Sequence, residues 1–380
     1  MTITVTTEAF KPGSGVANAT TTAVYSRVQL VGFAVRAGRP WLKSGLGVWA
    51  GWGPAPANLA AFVANEALEI AGLVHLLLSY LEQPVGGPVS GTEYLHLLET
   101  TEKGQAAARL GNGVTALLAW HVLGVSALHH VANAAGVVGV LVPPPAKGTK
   151  RPDFVGRRGP GTLYSTFEAK GTTGGAPTAK KKTDAKVQAQ AFTAIAGSPV
   201  DFCTACFGRF PAAPGMVEAT MIDPPTPDDG EALSADLVGR RELEGYGPVI
   251  RAIAAQRPAI TLSPQGVLEQ PVELFAMGTA GFFGALVPIA DALRTVRAAD
   301  PSDLSAAEAG GALESARAAV SDHRLPSVRP GSPGEARRGG AASGDGEEVR
   351  TFREINGDSC ELVVLPDGLV LALRRDLVDG

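Results

Sequence analysis

Residues 151–171 read RPDFVGRRGPGTLYSTFEAKG, and the fold turns on how this stretch pairs with itself. It reads as two short strands joined by the Gly/Pro turn GRRGPG. In the second strand Tyr164, Thr166, Glu168 and Lys170 alternate with Leu163, Ser165, Phe167 and Ala169. Period-two geometry puts Glu168 and Lys170 on one face. With the turn centred between Pro160 and Gly161, facing residues have numbers that sum to 321, which sets Asp153 opposite Glu168. Directly opposed residues of an antiparallel pair share a face, so two carboxylates and an ammonium converge on one patch. Two close carboxylates repel unless a cation lies between them, and hard oxygens favour Mg²⁺ or a similar ion such as Mn²⁺. Such an ion acidifies a bound water and steadies charge on a phosphate, and a lysine two residues away can orient that water or contact the phosphate. The plain alternative is a solvated strand face with an ordinary cross-strand ion pair.

Pro152-Asp153, fourteen intervening residues and then Glu168-Ala169-Lys170 resembles the PD-(D/E)xK signature of the restriction-endonuclease-like nuclease superfamily. The resemblance implies that Asp153 and Glu168 bind metal, that Ala169 lends its backbone carbonyl, and that Asp153, Glu168 and Lys170 form the catalytic set. It also implies an αβββαβ core, here spanning residues 91–223, and DNA as substrate, with RNA not excluded. In that family the first core helix often supplies a further metal-binding Glu, for which Glu102, with Glu99 one turn earlier, is the candidate. A polar residue, commonly Gln, often faces the site from the helix after the ExK strand, and Gln188 or Gln190 matches it. A solvent-facing helix surface explains both glutamines equally well. A second acid-x-Lys, Asp184-Ala185-Lys186, lies at an expected helix start and needs no chemistry.

Charge is distributed in keeping with that reading. The net charge is −4, which alone argues against a general nucleic-acid binder. Residues 145–186 nevertheless hold ten basic residues against Asp153, Glu168 and Asp184, a net of +7, which leaves −11 for the remainder. A phosphate-backbone groove needs such a concentration, and Arg151, Arg157, Arg158 and Lys186 are its candidate contacts along with the two glutamines. For Lys180 to Lys182 a solvated loop is the favoured reading.

At 380 residues, 45% hydrophobic and 18% charged, the chain can bury a sizeable core. No secretory signal is visible in MTITVTTEAFKPGSG, and three cysteines form no disulfide framework, so a reducing cytoplasm is the expected compartment. The Cys203-Thr204-Ala205-Cys206 pair falls on an expected strand and reads as core packing.

Residues 1–90 form an N-terminal region with strand-like alternation over 23–35, three tryptophans in a Gly-rich stretch (Trp41, Trp49, Trp52) and a buried helix over 57–81. The stretch 91–134 reads as one broken helix or two packed ones, capped by Thr92 and interrupted at Gly111-Asn112-Gly113. A buried first strand is expected over 136–142, a helix over 183–196 capped by Thr183 or Asp184, and strands over 200–207 and 216–222. Beyond PPTPDD, residues 224–325 read as a helical region. Within it the apolar run 274–290 is a marginal membrane candidate without basic flanks, better taken as a buried helix or a pair of short elements. Residues 326–348 read as a flexible linker, and 349–380 as a small β unit turning at Pro366-Asp367-Gly368. Two strands cannot stand alone, so this unit docks on the body or on a partner, a second copy of the chain or another protein.

Overall fold

The computed structural model describes residues 3–12, 14–38, 58–84, 87–131, 150–158, 163–224, 231–233, 245–264, 270–298, 352–379, and Ala312, Ser315 and Ala316. The tryptophan-bearing stretch, the strand expected over 136–142 and the linker over 326–348 lie outside the described residues.

The architecture is mixed α/β and is built on two main sheets. The first runs β2 (Ala19–Ala23), β1 (Ile3–Glu8), β10 (Glu218–Ile222), β9 (Ser198–Arg209), β7 (Leu163–Thr172), β6 (Phe154–Arg158) and β5 (Val125–His130). Two short strands, β8 (Phe192–Ile195) and β11 (Glu231–Leu233), extend it beside β9. The β6–β7 hairpin has the register the turn predicts: Phe154 faces Phe167, Val155 faces Thr166 and Arg158 faces Leu163. Strand β7 then pairs in parallel with β9, Glu168 beside Ala205 and Lys170 beside Phe207. Parallel neighbours need a crossover, and helix α5 (Ala179–Ala189) supplies it.

Several boundaries differ from the sequence expectation, each for a local reason. Helix α1 (Arg27–Gly38) replaces the strand expected over 23–35; Val28, Leu30, Val31, Ala34 and Val35 are all buried, and burial on every side erases helical periodicity. Helix α2 (Leu59–Tyr80) follows, then the small β3–β4 pair (Leu81–Glu82, Ser90–Gly91) and the short α3 (Glu93–Leu97), whose Leu95 N–H is capped by the Thr92 hydroxyl. Helix α4 (Thr100–Leu123) runs unbroken through Gly111-Asn112-Gly113. Those glycines are seats rather than breaks: a Cβ on Gly113 would lie 2.6 Å from that of Ala34, and one on Gly111 would lie 2.7 Å from the Gly171 nitrogen. The helix stops at Gly124, which takes the left-handed conformation at φ 70°, so β5 starts where the helix was expected to continue. Helix α5 is capped by Thr178, five residues before Thr183; the Thr178 hydroxyl accepts from Lys181 N–H at 3.3 Å. It ends at Ala189, and Ala196 and Gly197, both at positive φ, turn β8 into β9. The N-terminal residues are not a separate region, since β1 pairs in parallel with β10 inside the first sheet.

The second sheet runs β12 (Ala259–Leu262), β13 (Val272–Ala276), β14 (Gly281–Leu286), β17 (Leu369–Arg374), β16 (Asp358–Val364) and β15 (Phe352–Ile355). It corrects the helical reading of residues 224–325 over β12, β13 and β14; among the described residues there, α6 (Gly247–Ala254), α7 (Val287–Ala298) and the isolated Ala312, Ser315 and Ala316 are helical. The apolar run 274–290 is a strand, a turn, a strand and a helix start; Gly278 at φ 69° and Gly281 at φ 126° are incompatible with a continuous helix. The C-terminal hairpin, which ends in the short helix α8 (Arg375–Asp379), docks on the body through β14–β17 pairing, Phe282 beside Ala372. One continuous apolar cluster, from Ile3 to Val378, joins both sheets through α1, α2 and α4. Ionic clamps reinforce the junction: Arg36 Nε to Asp367 Oδ2 at 2.6 Å, and Arg251 Nε to Glu66 Oε2 at 2.9 Å. Among the described residues, only α2 is long and apolar enough to cross a membrane, and half of its most apolar window is buried.

Candidate functional site

The two faces of β7 carry different duties. Gly171 presses its backbone on α4, where a Cβ would sit 1.7 Å from the Ala107 carbonyl oxygen, so the Phe167–Ala169–Gly171 face belongs to that helix. The Thr166–Glu168–Lys170 face belongs to α5: the Thr166 hydroxyl donates to the Ala189 carbonyl at 2.6 Å. Asp153 sits one residue before β6 and reaches over the same hairpin, where its Oδ2 accepts from the Ala169 N–H at 2.9 Å.

The ammonium of Lys170 donates to Glu168 Oε1, and also to Gln188 Oε1 at 3.5 Å. Gln188, 8% exposed, therefore joins the patch from α5, whereas Gln190 is the C-cap residue of that helix. Glu168 is 1% exposed and its Oε2 has no hydrogen-bond partner among the described residues. Burial, reinforced by the neighbouring Asp153 charge, pushes the Glu168 carboxyl up to about 7, against the pull of Lys170. A carboxylate that resists ionising beside a second carboxylate is the arrangement a divalent cation relieves. The donors present fit a small hard ion: two carboxylates and the carbonyl of Ala169, with a half-exposed lysine alongside.

The third carboxylate is not delivered. Glu102 lies in the first turn of α4 with an exposed side chain, and its charge bears on Tyr80 rather than on Glu168. The α4 body lies on the opposite face of β7, which explains the miss. Glu99 caps α4, accepting from Thr101 N–H at 2.9 Å. Among the described residues no group of three or more His, Cys, Asp or Glu side chains is arranged to hold a metal. A metal ion at this patch could draw only on Asp153, Glu168 and backbone among the described residues.

The basic residues divide. Arg157 and Arg158 lie at the far end of the hairpin, four and five residues beyond Asp153, or about 13–17 Å at the usual rise. Arg157 stacks over the Tyr164 ring at 5.3 Å; Arg158 lies over Phe202 at 5.4 Å and pairs with Asp201 at 3.1 Å. Lys180 and Lys181 are exposed at the start of α5, while Lys182 pairs with Glu8 at 2.9 Å. Arg151 and Lys186 are partly exposed, Arg151 two residues from Asp153 and Lys186 two residues before Gln188.

Asp223, just past β10, is a further buried carboxylate beside the first sheet, which sequence reasoning missed. Burial pushes it up to about 7, and its Oδ1 has no hydrogen-bond partner among the described residues. Strand polarity alone gives no sign of it, since a terminal Asp after a strand is ordinarily a solvated turn residue. Cys203 and Cys206 are free and buried, their thiols pushed up to about 11 and about 12 by burial, as core packing requires. No family model, no curated protein and no solved structure matches this chain.

Proposed function

We propose that the chain is a metal-dependent nuclease with a restriction-endonuclease-like core, cleaving phosphodiester bonds in DNA. The observation that carries this reading is the meeting of Asp153, Glu168, Lys170 and Gln188 on one face of a hairpin. The order around it supports the same core: α4, then β5, β6 and β7, then α5, then β9, with the short β8 inserted. Asp153, Glu168 and the Ala169 carbonyl would hold one Mg²⁺ or Mn²⁺ ion. When bound, that ion supplies an acidified water and charge stabilisation at a phosphate. Glu168, fixed by the β7–β9 register, and Asp153, fixed by its hydrogen bond from the Ala169 N–H, would set where the ion sits. Lys170, whose side chain is 42% exposed, keeps its ammonium on Glu168 and Gln188, from where it would contact a phosphate or the attacking water. Gln188 holds the lysine on its other side. Arg151, Lys186 and the α5 lysines give the attraction for the nucleic-acid backbone.

The test is cleavage of single- and double-stranded DNA, and of RNA, with Mg²⁺ or Mn²⁺ and with EDTA. Metal-dependent cutting that EDTA stops is expected; no cutting of any substrate with either metal overturns the catalytic reading. The second reading, a catalytically silent relative that binds nucleic acid or a protein partner, is favoured by the position of Glu102 away from the pair. Binding without cutting would support it.

A further inference from the structure

Strand β2 ends the first sheet: β1 lies on one side of it, and among the described residues no strand lies on the other. Its residues Ala19, Thr20, Thr21 and Thr22 are exposed. Native proteins guard such edges with charges, proline or bulges, because unpaired N–H and C=O groups invite another strand. This edge carries none of those guards. No charged residue falls between Lys11 and Arg27, the strand holds no proline, and it pairs with β1 without a shift of register.

The edge is also matched to itself. On β1 the Thr4 N–H donates to the Val217 carbonyl and the Glu8 carbonyl accepts from the Asp223 N–H, so the even-numbered residues of β1 turn their backbone groups to the β10 side. Ile3, Val5 and Thr7 therefore face β2, where they meet Ala23, Thr21 and Ala19. Those three residues of β2 have their backbone groups turned inward, and Thr20 and Thr22 turn theirs outward. A second β2 laid antiparallel about a twofold axis at Thr21 sets Thr20 of each copy opposite Thr22 of the other. Both are then hydrogen-bonded pairs, and Thr21 meets its own counterpart as the close, non-hydrogen-bonded pair between them. The strand Ala-Thr-Thr-Thr-Ala reads the same in both directions, so alanine meets alanine and threonine meets threonine. Threonine pairs across strands are favourable, and no like charges are opposed. The outward register, the palindrome and the missing charge are each what a twofold self-contact needs.

We propose that β2 docks on β2 of a second copy of this chain and joins two first sheets edge to edge in a symmetric dimer. One strand of contact makes a small interface, so the dimer should dissociate on dilution. The proposal rests on β2 alone and stands apart from the nuclease reading.

Sedimentation equilibrium of the full chain should show a reversible monomer–dimer equilibrium. Thr21→Lys and Thr21→Glu each set like charges face to face at the axis, and each should weaken the dimer at least about tenfold. Both should keep the wild-type circular dichroism, since Thr21 is exposed. An equimolar mixture of the two variants should dimerise at least as tightly as the wild type. Cross-linking gives an independent measurement, the native cysteines being buried. Oxidised Thr21→Cys should form a covalent dimer, because the close pair brings its Cα atoms to about 4.5 Å, within disulfide reach. Ala19→Cys, which faces Ala23 of the other copy, should not. Lys170→Ala should dimerise as the wild type does, whatever it does to cleavage. A wild type that stays monomeric, a dimer indifferent to both charged variants, a mixture that dimerises no better than either variant alone, or equal cross-linking of the two cysteine variants would each overturn the proposal.

Discussion

Buried carboxylates are treated differently by the two sheets. Around the second sheet four carboxylates are buried, and three of them, Glu66, Glu273 and Asp367, each meet an arginine: Arg251, Arg294 and Arg36. On the first sheet, Glu168 meets a lysine that is 42% exposed and faces the Asp153 carboxyl, and Asp223 keeps an oxygen without a hydrogen bond. Arginine is always charged and holds a carboxylate in a fixed fork, which suits a permanent clamp. A half-exposed lysine is a single point charge and cannot neutralise two carboxylates at once. On the proposed nuclease reading, the difference separates charges that hold the fold from charges kept for chemistry.

Swapping an acid for its amide on each side gives the sharpest contrast. Glu168→Gln should lower metal-dependent DNA cleavage by about a thousandfold or more, with stability at pH 8 unchanged or raised, because an ionised buried group is removed. Glu66→Gln should instead cost about 3–5 kcal/mol by leaving Arg251 buried without its partner, while the protein that remains folded still cuts. Urea unfolding and a cleavage assay on both variants decide the matter. Equal losses of stability would break the contrast and return Glu168 to the role of an ion-pair partner.

Lys170→Ala should reduce cleavage by about 10²–10⁴. Its effect on DNA affinity, measured in EDTA, should be small, since one ammonium among ten basic residues of the segment contributes little to the overall attraction. A parallel loss of binding and cleavage would make Lys170 a phosphate contact instead.

Proton linkage gives a third, intermediate effect. Glu168 and Asp223 are both pushed up to about 7 from ordinary values of 4.5 and 3.8. Between about pH 4 and 7 the folded chain keeps protons that the unfolded chain has released. Stability without divalent ions should therefore be fullest below pH 4 on account of these two groups, and their share should be lost as pH rises through 7. The slope is at most about 1.4 kcal/mol per pH unit for each proton. Mg²⁺ or Mn²⁺ requires ionised Glu168, so added metal should raise Tm more at pH 8 than at pH 6. A metal effect independent of pH would place the ion elsewhere.

The smallest effect concerns the rim. Lys180→Glu with Lys181→Glu should leave Tm unchanged and reduce the salt dependence of DNA binding by about one counterion per lost lysine. Arg158→Glu should behave otherwise, losing stability by setting an acid against Asp201. If Arg158→Glu weakened binding with no loss of stability, its pairing would be incidental and the hairpin tip would belong to the interface.

The hairpin was legible in the sequence because a short turn and strict alternation leave one register, and that register set Asp153 against Glu168. Gln188 was half legible: the spacing from the ExK strand offered two glutamines, and only the helix phase chose between them. Glu102 misled because sequence order places a helix before the strands without saying which of its turns overlies them. The second sheet was hidden by composition. Residues 274–290 are apolar throughout, so neither a two-residue nor a 3.6-residue period survives, and only positive φ at Gly278 and Gly281 separates strand from helix. Docking of the C-terminal hairpin depended on β14, a strand some ninety residues earlier whose own identity was masked in the same way.

The contact between α4 and β7 has a consequence for inheritance. Gly171 and Gly111 meet backbone to backbone, and a Cβ on either would lie within 2.8 Å of main-chain atoms that no rotamer can move aside. Every glycine codon changes by one base only to another glycine codon, to a stop, or to a residue that carries a Cβ. No single-base amino-acid change at these two positions is therefore free of a main-chain clash, and any accepted change must be accompanied by a shift of the helix on the strand. Because Lys170 immediately precedes Gly171, such a shift would move the ammonium as well. A substitution on the exposed side of α4 meets solvent, whereas a replacement at this pair of codons must move helix and strand together.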